Sequence, residues 1–143
     1  MKKLSVVMAV YNEEDNIGRC LESIKDIADE IIVVDGNSTD KTVEIAKRYN
    51  TKVIFTKNSE THFHPQKNMA IDAATGEWIL QLDADEIVSP ELTQEISSII
   101  NHKTDINGYW MNRKNWFLSR FLTKGGQYPD PTLRLYKNGK GRL

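Results

Sequence analysis

Four apolar runs punctuate the first part of the chain: LSVVMAV at 4–10, EIIVV at 30–34, VIF at 53–55 and WILQL at 78–82. Nearly continuous hydrophobicity suits strands covered on both faces, as in a parallel sheet. Between the runs, apolar positions fall at helical spacing. Ile17, Cys20, Leu21 and Ile24 share one face. Thr42, Ile45, Ala46 and Tyr49 share another, with Val43 at its edge and Ser38 or Thr39 placed to cap the start. A shorter pattern, QKNMAIDAA, follows the third run, and Gly76 turns the chain into the fourth. Ser89-Pro90-Glu91 supplies an N-cap, a proline at N1 and a first-turn acid. The helix it opens buries Leu92, Ile96 and Ile99 or Ile100.

The order β-α-β-α-β-α-β, with short connections, predicts right-handed crossovers and an α/β domain. Three layers, α/β/α, around a mostly parallel sheet are expected. After Asn101 the character changes: NGYWMNRKNWF mixes aromatic and polar residues, Gly125-Gly126 marks a turn, and TLRLY alternates like a short strand. The stretch from Trp110 to Phe121 reads as buried core or a covered interface, ahead of an amphipathic surface for lipid. The division expected is a binding subdomain over 1–100 and a second region over 101–143. The closing NGKGRL is turn-like, and the chain is expected to stop inside a larger protein.

Composition narrows the classes. A chain of 143 residues suffices for one domain with a real core. A formal net charge of -1 gives no basic excess to hold phosphates, which argues against nucleic acid as a partner. The single cysteine, Cys20, excludes an internal disulfide and reads as a core residue in a reducing compartment. Lys2 and Lys3 precede the first run as in an export signal, but the run is short and Tyr11-Asn12-Glu13-Glu14 follows at once, so a strand is preferred. No apolar stretch approaches the roughly 18 residues of a bilayer span. A cytoplasmic location is expected, with contact at the inner face of the cytoplasmic membrane left open.

Open α/β sheets bind ligands beyond the carboxyl ends of their strands. Polar clusters fall there three times: Tyr11-Asn12-Glu13, Asp35-Gly36-Asn37-Ser38 and Asp83-Ala84-Asp85-Glu86. If 83–85 stay extended, Asp83 and Asp85 point to one side, where a divalent cation relieves their repulsion and bridges to phosphate. A solvated acidic loop is the bland alternative. Asp35 either caps its own turn, which Gly36 favours, or accepts a hydrogen bond from a base or ribose. Gln66 and Lys67, just after Pro65, face a nucleotide site or simply cover a helix start. His62 and His64 bracket Phe63 without further ligands for zinc. Neither a dinucleotide fingerprint nor a P-loop string is present, which disfavours both classes.

The segments AVYNEEDNIGRCLESI, IIVVDGNSTDKTVEIA and GEWILQLDADEIVSPEL, in this order, resemble the start of family 2 glycosyltransferases of GT-A fold. The likeness covers residues 3–100 and continues through GGQYPDPTLRLYKN. It is similar in particular to the bacterial lipopolysaccharide core β-1,4-glucosyltransferase branch. The resemblance implies an inverting, metal-dependent enzyme that moves a sugar from a UDP-sugar, first UDP-glucose, to a glycan or lipid-linked acceptor. It implies that the backbone at Ala9 and Tyr11, with Glu13, holds the uridine, and that Asp35 meets the uracil. Asp83 would meet the ribose or support the metal shell, Asp85 would ligate Mn²⁺ or Mg²⁺, Lys67 would help with the diphosphate, and Glu86 would orient the loop. The branch places its base in a His-Glu segment, here expected beyond Leu143. Within the chain Asp130, beside two prolines, is the acid that remains after Asp105. Residues 1–143 alone are therefore expected to bind donor yet transfer poorly. A nucleotidyltransferase is the nearest rival, disfavoured because a basic glycine-rich loop is absent after the first strand. A non-catalytic sugar-nucleotide-binding domain is the second.

Overall fold

The computed structural model describes residues 2–57, 63–103, 105–112, 117–120 and 135–139, and for 63–64, 110–112 and 117–120 only the backbone. The first part follows the apolar pattern: β1 (Leu4–Val10), α1 (Ile17–Ile24), β2 (Glu30–Asp35), α2 (Thr42–Lys47), β3 (Lys52–Phe55), α3 (Phe63–Ala73), β4 (Trp78–Gln81) and α4 (Pro90–Ile100). All of β1 is buried, as continuous hydrophobicity requires of a strand covered on both sides. The two faces separate by period two. Leu4, Val6, Met8 and Val10 pack with α1, with Ala46 of α2 and with Leu92, Ile96 and Ile100 of α4. Val7, Ile32, Val34 and Ile79 pack on the other side against Ala70 and Ile71 of α3 and against Ala74. Helices thus cover both faces of one sheet, the three expected layers.

Three more strands extend the sheet: β5 (Gly108–Asn112), β6 (Phe117–Arg120) and β7 (Leu135–Lys137). The order is β3-β2-β1-β4-β7-β5-β6. β1 to β4 are mutually parallel, β7 runs against β4, and β5 and β6 continue antiparallel. Two reversals return β5 to the direction of β1–β4, so five of the seven strands among the described residues share one direction.

Local chemistry explains the boundaries. Ser89 caps α4 as expected, its Oγ accepting from the Leu92 amide at 3.1 Å ahead of Pro90. The start of α2 differs from expectation. Neither Ser38 nor Thr39 caps it; Asp40 Oδ1 accepts from the Thr42 amide at 2.9 Å instead. Ser38 Oγ is committed elsewhere, to Asp35 and the Asn12 amide. Gly76 sits where the chain crosses β1: a Cβ there would lie 2.7 Å from Ser5 Oγ and 2.9 Å from Ser5 N.

Candidate functional site

β2 and β3 lie to one side of β1 and β4 to the other, so the strand order reverses between β1 and β4. Such a reversal opens a crevice at the carboxyl ends of the strands, because the chain leaves the two neighbours in opposite directions. The segments that leave β1, β2 and β4 there are the three polar clusters of the sequence.

The first two clusters are sewn together. Asn12 adopts a left-handed backbone (φ 51), which asparagine tolerates better than most residues. Its amide donates to Ser38 Oγ at 2.8 Å, and its Oδ1 accepts from the Thr39 amide at 2.8 Å. The Glu13 amide donates to Thr42 Oγ1 at 2.8 Å, and the Glu13 carboxylate accepts from Asn16 at the entry to α1. Asp35 caps its own turn. Its Oδ2 accepts from the Asn37 and Ser38 amides at 3.1 and 2.9 Å, and its Oδ1 from Ser38 Oγ at 2.6 Å. Buried at 1% exposure, this carboxylate has its polar atoms hydrogen-bonded within its own turn. Ala9 is buried in β1 and Tyr11 half-buried at its end.

The third cluster departs from the extended geometry. β4 ends at Gln81, and 84–85 form a turn closed by the Glu86 amide donating to the Asp83 carbonyl at 3.0 Å. Glu86 reaches back, its Oε1 accepting from the Asp83 amide at 2.8 Å. The premise that an extended 83–85 aligns the two aspartates by strand alternation is therefore incorrect, since strand alternation does not survive a turn. Among the described contacts, Asp83 is held by Glu86, by the Cys20 thiol over its carbonyl at 3.6 Å, and by Lys67 Nζ at 3.3 Å from its Oδ1. Asp85 projects into solvent from the turn.

Lys67 comes from the first turns of α3. That helix is tied to the ends of β2 and β3 by Gln66 Nε2 donating to Thr56 Oγ1 (2.9 Å), while the Thr56 amide donates to the Asp35 carbonyl (2.9 Å). Beneath the turn, burial first, and then the charges of Glu86, Asp83, Asp85 and Glu13, together push the Cys20 thiol up to about 12. The thiol stays neutral, and four carboxylates from two strand ends lie within electrostatic reach of one sulfur.

Asp83 and Asp85 are hard oxygen donors, the kind Mg²⁺ and Mn²⁺ prefer. Among the described residues no group of three His, Cys, Asp or Glu side chains could hold a metal by itself. The donor set thus fits an ion that completes its shell with phosphate oxygens and water, as Mg²⁺ commonly does. The side chains of His62 and His64, and Asp130, lie outside the described residues, as do the side chains of Trp110–Phe121. A groove of about 730 Å³, lined by Lys3, Trp78, His102, Asp105 and Lys137 among others, lies at the opposite pole, where β1 and β4 begin. It shares no residue with the three clusters. Among the described residues no helix is long and apolar enough to cross a membrane.

Sequence reasoning found the acids and Lys67 but missed Asn12, Ser38 and Thr42 as the stitching between loops. The signal was the pairing of YNEE with DGNSTDKT, each rich in residues that bond to backbone.

Comparison with known proteins agrees with this architecture. The sequence profile for "Glycosyl transferase family 2" matches residues 5–138. The uncharacterized glycosyltransferase RT0209 of Rickettsia typhi is 43% identical over 106 residues, 73% of this chain and 36% of its own length. The lipopolysaccharide core biosynthesis glycosyltransferase LpsC of Rhizobium meliloti is 28% identical over 142 residues, 97% of this chain and 52% of that protein. Among solved structures, S. aureus TarS 1-349 in complex with UDP-GlcNAc superposes with a TM-score of 0.65 at 29% identity, over 90% of this chain and 37% of that one. The chain spans about a third of the length of curated relatives such as RT0209. With its GT-A fold and a family match across almost the whole sequence, the chain belongs to glycosyl transferase family 2.

Proposed function

We propose that this chain forms the donor-binding part of an inverting glycosyltransferase. It takes a sugar from a UDP-sugar and passes it to a glycan or lipid-linked acceptor of a bacterial surface polysaccharide, at the inner face of the cytoplasmic membrane. One observation carries the reading: the polar ends of β1, β2 and β4 converge on the β1/β4 crevice with Lys67 seated on Asp83. The relationship to TarS, solved with UDP-GlcNAc, supports a UDP-sugar, and LpsC supports a surface glycan. UDP-glucose is the first donor to try, on the family resemblance.

The residue roles rest on the family resemblance, with these residues lying at the strand ends. The backbone at Ala9 and Tyr11, with Glu13, lines the uridine pocket. Asp35 has three of its roughly four lone-pair directions committed to its own turn. The fourth is offered to the uracil entering beside Asn37 and Ser38. Asp83 supports the diphosphate end and Asp85 faces it from the turn, with Lys67 completing the charge balance. A divalent ion, Mn²⁺ or Mg²⁺, held by Asp85 with Asp83 beside it, would act there as a Lewis acid on the leaving diphosphate. Glu86 and Cys20 touch neither substrate nor ion; they fix the 83–86 turn. Residues 101–143 begin the acceptor side, and we place the catalytic base beyond Leu143 rather than at Asp130.

The test is calorimetric titration of UDP with and without Mn²⁺, repeated for Asp85→Ala. UDP binding that tightens with Mn²⁺, and a Mn²⁺-dependent gain that shrinks by about tenfold or more in the variant, supports the site. A folded wild type that binds UDP in neither condition overturns it.

A further inference from the structure

Lys67 and Asp83 are not a loose surface pair. Asp83 is fixed by backbone hydrogen bonds to Glu86 and by the Cys20 thiol. Lys67 is fixed by its helix, which packs Ala70 and Ile71 into the core and ties Gln66 to Thr56. The lysine side chain is only 17% exposed, and its ammonium lies 3.3 Å from Asp83 Oδ1. Both partners stand on rigid elements, so the contact loses little side-chain entropy on forming, unlike a typical exposed ion pair.

The same carboxylate is the one that a divalent ion at Asp85 would approach. An ammonium already resting there repels that ion and competes with it for the oxygen. A nucleoside diphosphate changes the balance, because its oxygens attract both cations. Resting on the donor-site reading above, we propose that Lys67 is the resident counter-cation of Asp83, and that a bound nucleoside diphosphate draws Lys67 onto itself and releases Asp83 to the divalent ion. The lysine then does two opposite things: it weakens metal binding in the empty site and strengthens nucleotide binding. Metal and nucleotide become coupled, and linkage requires the coupling to be the same whichever binds first. The consequence is a site that holds metal more weakly before donor binds than after.

The experiment follows Mn²⁺ binding by electron paramagnetic resonance, with and without saturating UDP, in wild type, Lys67→Gln, Lys67→Met and Lys67→Arg. Far-UV circular dichroism checks that each is folded. Without UDP, Gln and Met are expected to tighten Mn²⁺ binding by about fivefold, the weight of one partly exposed charge. The same variants should bind UDP more weakly when metal is absent, and the gain in Mn²⁺ affinity on adding UDP should shrink by a similar factor. Lys67→Arg keeps the charge and should retain most of the wild-type coupling. Donor-free Mn²⁺ affinity that is unchanged or weaker in both neutral variants, while wild type binds Mn²⁺ with UDP, overturns the inference and leaves the donor site standing. Wild type that binds neither Mn²⁺ nor UDP overturns the donor-site reading and the inference with it.

Discussion

Replacing Glu30 by alanine tests the packing that sets the sheet at the pole opposite the site. Glu30 opens β2, and its side chain is 9% exposed. Its Oε2 accepts from Ser5 Oγ at 2.5 Å and from the Thr75 amide at 2.9 Å, and Thr75 Oγ1 donates to both carboxylate oxygens. Ser5 is fully buried, so Glu30→Ala strands a hydroxyl that water cannot reach, a loss of about 1.5–3 kcal/mol for a bond to a charged acceptor. Thr75 is exposed and recovers most of its bonds from water, adding about 0.5 kcal/mol. The expected destabilisation near neutral pH is therefore about 2–3.5 kcal/mol, read as the difference in unfolding free energy from urea melts.

The pH dependence of that difference is the sharper part. Burial alone raises the Glu30 carboxyl, but the Ser5 hydroxyl, the Thr75 amide and hydroxyl and the Lys2 ammonium outweigh it and hold it below its ordinary value. A carboxyl lowered on folding stabilises the native state fully above its unfolded pKa of about 4.3 and loses that contribution as pH falls through its folded pKa. The gap between wild type and Glu30→Ala should thus be flat through neutral pH and narrow only in the acid range below about 4.3. A variant within about 0.5 kcal/mol of wild type near neutral pH would refute the reasoning, and so would a gap that does not change on acidification.

Gly76→Ala should cost about 1–3 kcal/mol in the same melts, because its Cβ would press on the Ser5 backbone nitrogen, which cannot rotate away. Asp85→Ala, by contrast, removes an exposed side chain and should leave the urea midpoint within experimental error of wild type, so that its loss of UDP binding reads on the site and not on folding.

The first four strands and the four helices among the described residues were legible because their information is local. Runs such as LSVVMAV and the stripe Ile17–Cys20–Leu21–Ile24 declare burial through periodicity, and Ser89-Pro90 declares a helix start. β7 was legible as the alternation in TLRLY, but not its place between β4 and β5, which depends on pairings such as Ile79 with Tyr136. β5 was not foreseen as a strand, since Gly108 and Asn112 dilute its signal and its partners are distant or later in sequence. At the site, the acids were visible but their arrangement was not. The turn at 83–86 arises from Glu86 bonding back to Asp83, a choice that an Asp-x-Asp-Glu string leaves open. The Lys67–Asp83 pair joins residues brought together only by packing α3 across β1 and β2.

The central claim is that the three polar strand ends form one UDP site. Its most direct test is amide chemical-shift mapping of UDP binding by NMR in the presence of Mg²⁺. The account predicts shifts that cluster at Tyr11–Glu13, Asp35–Ser38, Lys67 and Asp83–Glu86, with the groove around Lys3, Trp78 and His102 silent. Shifts confined to that groove, with the strand ends unmoved, would contradict it.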